Sequence, residues 1–198
     1  MKLQILDPYI QEFINSQINS SASDLMLKES LYPEWNMKDI AQQLVGKQIA
    51  KKKLPTWFQN NEVLYPVRLS MEQCSSEATA KYKTTIINSG RGIDLTGGFG
   101  VDTIFLSKQS ESLIYCERNE DLALLVSHNF KALNQHNFEV HVGDGVEYLK
   151  NLKKIDWIFI DPSRRKESQR VFRLDDCEPN VINLMDLFFN KAEHVLIK

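Results

Sequence analysis

Ile93-Asp94-Leu95-Thr96-Gly97-Gly98-Phe99-Gly100-Val101-Asp102-Thr103 is the stretch on which the fold turns. Its glycines follow a short apolar run and precede a helical pattern, which lets the backbone take positive φ and come close to a ligand. There is no Gly-Lys-Ser/Thr, so it is not a phosphate-binding P-loop. Thr103 stands where the third glycine of a dinucleotide fingerprint would fall, so that motif is absent as well. Taken alone, such a turn is also what an ordinary helix-capping loop would show.

On the C-terminal side of this loop, short apolar runs alternate with helical patterns. Strands are predicted over 92–95, 112–116, 138–142, 156–160 and 194–197, and helices over 102–108, 120–133, 145–152 and 180–190. This β-α-β-α series predicts an α/β, Rossmann-like doubly wound parallel sheet with right-handed crossovers. Ligands of such sheets bind at the C-terminal edge, so the strand tips are candidate site residues. Glu117 ends the second strand 23 residues after Asp94, where one carboxylate can accept from both hydroxyls of a ribose. Asp144 ends the third strand, suited to accept from an adenine amino group, and Asp161 ends the fourth. Acids at successive tips, in order along one edge, are more specific than any one of them.

On the N-terminal side the pattern is helical. Ile10, Phe13, Ile14 and Ile18 recur at helical steps, Leu25, Met26 and Leu31 lead to a stop near Pro33, and Met37, Ile40, Ala41, Leu44 and Ile49 form a third group. Residues 51–70 hold Lys51-Lys52-Lys53, Pro55, Pro66 and the aromatics Trp57, Phe58 and Tyr65, and read as an irregular connector over the surface. A helix capped by Ser75 or Ser76, with Glu77 in its first turn, is expected to run toward Gly90. The expected division is a helical N-terminal domain with connector over 1–66, then the Rossmann-like domain over 67–198. The chain stops directly after its fifth strand, which suggests a core incomplete at its C-terminus.

Composition narrows the class. A chain 42% hydrophobic and 25% charged is globular rather than disordered. No apolar run approaches the roughly 20 residues that span a bilayer, and the N-terminus lacks a signal-peptide pattern, so a cytoplasmic protein without a membrane partner is expected. Three cysteines, Cys74, Cys116 and Cys177, have neither an even count nor metal spacing, and no metal site is expected.

Residues 92–161 resemble the class I S-adenosylmethionine-dependent methyltransferases. Asp94 to Gly100 resembles their first motif, Glu117 the second, Asp144-Gly145 the third and Asp161-Pro162 the fourth. Thr96 departs from the commonest form, which has glycine there. With Gly97-Gly98 after it, the loop is similar to that of ribosomal and cap-trimethylating guanine-N2 RNA methyltransferases. The resemblance implies S-adenosylmethionine as cofactor. Asp94 would anchor the loop and approach the methionine ammonium, while Thr96, Gly97, Gly98 and Gly100 would present backbone to the methionine and ribose. Glu117 would take the ribose hydroxyls, Arg118 would flank the adenine, and Asp144 with Gly145 would take its amino group. Asp161-Pro162 resembles the Asp-Pro-Pro-aromatic motif of enzymes that methylate exocyclic amines, with Ser163 and Arg164 departing from it. Arg164 would replace the stacking aromatic or bind a phosphate.

Five cations, Arg164, Arg165, Lys166, Arg170 and Arg173, fall within ten residues of that motif. Basic charge beginning at the acceptor site suits nucleic acid, so Ser163, Arg164, Arg165 and Lys166 are candidate substrate contacts and RNA the expected partner. The following Asp175-Asp176-Cys177-Glu178 offers the arginines internal partners instead. Lys51–Lys53 with Trp57 and Phe58 form a second basic and aromatic cluster. The order of motifs after a helical region resembles a bacterial group that carries a THUMP-like RNA-binding domain at its C-terminus. Two alternatives stay open: an acceptor that is a protein or small molecule, which calls for a closed apolar pocket by Asp161, and a cofactor-binding RNA module without turnover. Oligomeric state is not legible.

Overall fold

A computed structural model describes residues 3–28, 31–87, 89–163, 165–166, 169–170 and 173–198. Each N-terminal helix starts at a residue suited to cap it. Asp7 accepts from the Tyr9 amide and Pro8 stands in the first turn of α1 (Pro8–Ser16). Ser21 and Asp24 form a reciprocal capping box at the start of α2 (Ala22–Met26). Asn36 caps α3 (Met37–Lys53), whose run buries Met37, Ile40 and Leu44 against Ile10, Ile14 and Leu25. The helix goes one turn beyond its apolar pattern and ends on Lys51–Lys53, cations placed at the negative end of its dipole.

The connector is where the structure corrects the sequence reading. Residues 54–65 do not run over the surface: Leu54, Trp57, Val63, Leu64 and Tyr65 are buried, and α4 (Pro55–Phe58) forms within them. An extended segment can be buried only if its backbone polar groups find partners. Here two amide side chains supply them. Gln43 donates to the Tyr65 carbonyl at 2.8 Å and accepts from its N–H at 2.7 Å, and Asn129 does the same for Leu64 at 2.8 and 2.8 Å. The supposed basic and aromatic cluster is dismantled by the same packing. Trp57 is wholly buried, and Lys53 donates to the carbonyls of Met71 and Glu72.

Two further helices lead into the sheet, α5 (Arg68–Gln73) and α6 (Glu77–Thr84), the second capped by Ser76. Then β1 (Arg91–Asp94), α7 (Val101–Ser107), β2 (Ser112–Glu117), α8 (Glu120–Ala132), β3 (Phe138–Val142), α9 (Gly145–Asn151) and β4 (Ile155–Ile160) follow in strict alternation. A two-stranded antiparallel ribbon, β5 (Arg165–Lys166) and β6 (Gln169–Arg170), precedes α10 (Met185–Lys191) and β7 (Ala192–Ile197). The expected helix over 180–190 begins instead as a 3-10 turn over Ile182–Leu184. The main sheet is parallel in the order β3-β2-β1-β4-β7.

Both faces of the sheet are covered, which is why β4 reads as a nearly unbroken apolar run. On one face Tyr115, Val101, Phe105, Val126 and Phe130 share a core with Ala50, Leu54, Trp57 and Tyr65, so the N-terminal region packs directly on α7 and α8. On the other, Ile93, Ile158 and Ile160 pack with Leu149 and Phe188 of α9 and α10. Gly92 sits between them for a steric reason: a Cβ there would fall 2.0 Å from the Trp157 ring. Among the described residues no helix is long and apolar enough to cross a membrane.

Candidate functional site

The strand order reverses between β1 and β4, and a cleft of about 900 Å³ opens at the carboxyl ends of the strands there. Thr96, Gly97, Gly98, Gly100, Glu117, Arg118, Asp144, Gly145, Asp161, Pro162 and Ser163 all line it. Asp94 does not: it is wholly buried beneath the loop. Arg164 lies outside the described residues, and Arg165 and Lys166 form one arm of the ribbon, Arg165 opposite Arg170.

The glycine loop is held by its own acids. Asp94 accepts from the Thr96 amide at 3.0 Å and from the Thr103 hydroxyl at 2.6 Å. Glu117 accepts from the Gly98 amide at 3.0 Å and the Asn119 amide at 2.8 Å, and Tyr115 donates to the Gly98 carbonyl at 2.6 Å. Gly98 has φ +54°, and a Cβ there would meet only the Thr96 carbonyl, at 3.8 Å. The bare backbone therefore faces the cleft and leaves space for a ligand to lie against it. Gly145 serves closeness instead, since a Cβ there would fall 2.5 Å from the Leu95 carbonyl.

Thr96 has a use that a glycine could not fill. Its hydroxyl accepts from the Asp161 amide at 2.7 Å and ties the first strand tip to the fourth. The Asp161 carboxylate meets Lys198, just past β7, at 2.6 Å, and Lys198 also stands 3.7 Å from Asp102. Asp102 is paired at 2.6 Å with buried Lys83 and accepts from Ser75 at 2.7 Å. Charges thus alternate along a row Lys83–Asp102–Lys198–Asp161, of which the last three line the loop end of the cleft while Lys83 is buried behind Asp102.

Another part of the cleft lining carries a second chain of ion pairs, Asp144–Arg118–Glu178. Asp144 caps α9 by accepting from the amides of Val146 at 2.8 Å and Glu147 at 3.1 Å. Its other oxygen meets Arg118 at 2.6 Å, and Arg118 reaches on to Glu178 at 2.9 Å. Ser163 and Glu178, both lining the cleft, exchange backbone hydrogen bonds at 2.7 and 3.0 Å. Of the acidic run, Asp175 pairs with Arg173 at 2.9 Å, whereas Glu178 pairs with Arg118. Cys177 is buried and donates to the Arg173 carbonyl. No group of three or more His, Cys, Asp or Glu side chains among the described residues is arranged to hold a metal ion.

Ser75, weighed from the sequence as a helix cap or a contact to the methionine end of the cofactor, lines the cleft, as do Asp102, Glu178 and Lys198, which sequence reasoning passed over as site residues. One signal for Asp102 was available: an acid in the first turn of the helix that follows a glycine loop faces whatever the loop binds. Lys198 gave none, since its meeting with Asp161 depends on how β7 pairs with β4.

Burial pushes the Asp94 carboxyl up to about 7, against the hydrogen bonds from Thr103 and Thr96 that favour the anion. In an unfolded chain the same group titrates near ~4. The folded state therefore holds its proton across that window. The stability this lends is full below about pH 4 and is lost as pH rises toward the folded value. Asp94→Asn, which keeps shape without the titration, is expected to flatten the decline by ~2 kcal/mol between pH 5 and 8. Urea denaturation of both proteins across that range measures the difference, and parallel curves would exclude it.

No family model matches the chain. A ribosomal RNA small subunit methyltransferase J of Bdellovibrio bacteriovorus is 31% identical over 93 residues, 44% of this chain and 37% of that protein. The crystal structure of a candidate methyltransferase from Porphyromonas gingivalis W83 is 33% identical, with a TM-score of 0.80, over 99% of this chain and 49% of that one. A precorrin 8w decarboxylase from Methanobacterium thermoautotrophicum is 14% identical with a TM-score of 0.52, over 68% of this chain and 66% of that one, a likeness of fold alone. The chain thus spans less than half the length of the first two relatives. Five parallel strands with helices on both faces, a cleft at the β1–β4 reversal and a helical region ahead of them make this the Rossmann-like fold of the class I methyltransferases.

Proposed function

We propose that the chain is the methyltransferase part of an enzyme that methylates RNA at a base nitrogen such as guanine N2. The observation that carries the reading is the cleft itself, lined by Asp144, Glu117, the Gly98 backbone and Asp161, which follow the adjacent strands β3, β2, β1 and β4. S-adenosylmethionine would supply an electrophilic methyl group on its sulfonium. The cleft fits that cofactor: Gly98 leaves its backbone bare, and the Glu117 oxygens retain lone pairs beyond those used by two amides. Glu117 would take the ribose hydroxyls. Arg118, Asp144 and Gly145 would bound the adenine, the amino group sharing the Asp144 oxygen that now meets Arg118.

Asp161 and the Pro162 turn would receive the acceptor amine, with the lone pair aligned on the methyl group. The nitrogen forms its bond to carbon as the carbon–sulfur bond breaks, and the proton it sheds passes to the carboxylate or to water. The hydrogen bond that the Asp161 amide donates to the Thr96 hydroxyl ties this turn to the glycine loop, so the donor and acceptor sites would be held together. Ser163, Arg164, Arg165 and Lys166 would meet the RNA, whose phosphates suit a basic sequence that begins directly after the cleft-lining Ser163. The name of the Bdellovibrio relative supports RNA as the acceptor class. Residues 1–66 would form the helical cap, packed on α7 and α8.

The test is methyl transfer from tritiated S-adenosylmethionine to total RNA of a strain lacking the gene. The protein is used at its natural length. Label in RNA, with digestion giving a methylated guanosine, is the expected result. Label in protein alone would move the acceptor to another class.

A further inference from the structure

We propose that Lys198 weakens cofactor binding by charge repulsion, its ammonium standing 3.7 Å from the Asp102 carboxylate that would receive the ammonium of a bound amino-acid moiety. This rests on the cofactor reading above and concerns the regulation of that same cleft.

Asp94, the acid expected to meet such an ammonium, offers it nothing. It is wholly buried, and its two oxygens serve Thr96 and Thr103. At its loop end the cleft is lined instead by Asp102, 8% exposed, with Asp161 and Lys198. One oxygen of Asp102 is bound by Lys83 at 2.6 Å. The other accepts from the Ser75 hydroxyl at 2.7 Å and keeps a second lone pair. Lys198 stands 3.7 Å from that oxygen, beyond hydrogen-bond length, while making its short contact with Asp161. The position beside Asp102 is therefore under the influence of a primary ammonium that does not bond to it.

An incoming α-ammonium has the same chemistry as the lysine head. Placed on the Asp102 oxygen it would make one charge-assisted hydrogen bond, and it would repel Lys198, whose charge lies a few ångströms away. Lys198 keeps Asp161 as partner, so it need not leave the cleft. Its presence lowers the net attraction that Asp102 and Asp161 exert on a cation. Cofactor affinity is then set partly by a residue of β7's end, on a different element from the glycine loop.

Calorimetry with two probes separates this from general cofactor binding. S-adenosylhomocysteine carries the amino-acid end, and 5′-methylthioadenosine lacks it. Lys198→Met in the protein at its natural length is expected to tighten S-adenosylhomocysteine ~3- to 10-fold and to leave methylthioadenosine within ~2-fold. Asp102→Asn is expected to weaken the first ~10-fold or more and to spare the second. Because Asp102→Asn strands the buried Lys83 charge, the Lys83→Met/Asp102→Asn pair is measured beside it and should lose the same discrimination. A Lys198→Met protein that binds S-adenosylhomocysteine more weakly would overturn the proposal, since Lys198 would then be a partner of the ligand. So would an Asp102→Asn effect equal for both probes. A wild-type protein that binds the two probes equally overturns this inference while leaving the cofactor reading standing. One that binds neither overturns both.

Discussion

Replacing Glu117 with alanine is expected to weaken S-adenosylhomocysteine by ~10²- to 10⁴-fold, because two ribose hydroxyls would each lose a charged acceptor worth ~1.5–3 kcal/mol. The geometry adds a second loss. The same carboxylate holds the Gly98 amide at 3.0 Å and the Asn119 amide at 2.8 Å, so its removal loosens the loop on which the cofactor would lie. Both amides are near the cleft and reach water in the variant, so the fold should survive with a small loss of stability. Glu117→Gln is the informative companion. It keeps one carbonyl acceptor but turns the other oxygen into a donor, and should fall between wild type and alanine. Calorimetry on the three proteins gives the order directly. Equal affinity in all three would remove Glu117 from the cofactor site and with it the strongest residue assignment.

Much of the sheet could be read before any coordinates because each strand is a short apolar run closed by residues that stop it. The run 138–142 coincides with β3, and the other four strands of the main sheet differ from expectation by one or two residues at their ends, whereas the β5–β6 ribbon was not expected. The caps were equally local: Ser76 needs only its own neighbours to start α6. The connector was illegible because nothing local marks it as buried. Its backbone is satisfied by Gln43 and Asn129, which lie 22 and 65 residues away, and a single sequence does not announce such pairings. Its aromatics therefore looked like a surface platform when Trp57 was core.

The candidate site divides along the same line. The loop and the strand tips were visible because each is fixed by its own strand and turn. Thr96 appeared only as a departure from glycine, and its purpose became evident when β1 and β4 were seen side by side, bringing its hydroxyl to the Asp161 amide. The row Lys83–Asp102–Lys198–Asp161 joins α6, α7 and the ends of β4 and β7, four elements spread over more than half the chain. Such a row has no sequence period. Asp94 shows the converse limit. Its place in the motif was plain, but its complete burial was not, and burial decides whether a carboxylate anchors a loop or meets a ligand.

Asp161→Ala is expected to lower methyl transfer to RNA by ~10²- to 10⁴-fold at saturating donor, the range for loss of a positioned acid–base group. S-adenosylhomocysteine affinity should change far less, by ~10-fold at most, in the direction of weaker binding. The sign follows from Lys198. In wild type its ammonium is engaged by Asp161 at 2.6 Å, and without that partner it is free to move the remaining distance onto Asp102. Asp161→Asn sharpens the reading, since its carbonyl can still accept from an amine but carries no charge to ease proton loss. A variant that retains part of the activity as asparagine, and almost none as alanine, would assign Asp161 mainly to orientation. Equal loss in both would assign it mainly to charge. Transfer unchanged in either would show that the acceptor amine meets some other residue, and would leave the Asp161–Lys198 pair a structural tie between β4 and β7. Single-turnover assays with preloaded donor keep the cofactor effect out of the comparison, because each protein is then measured with its donor site filled.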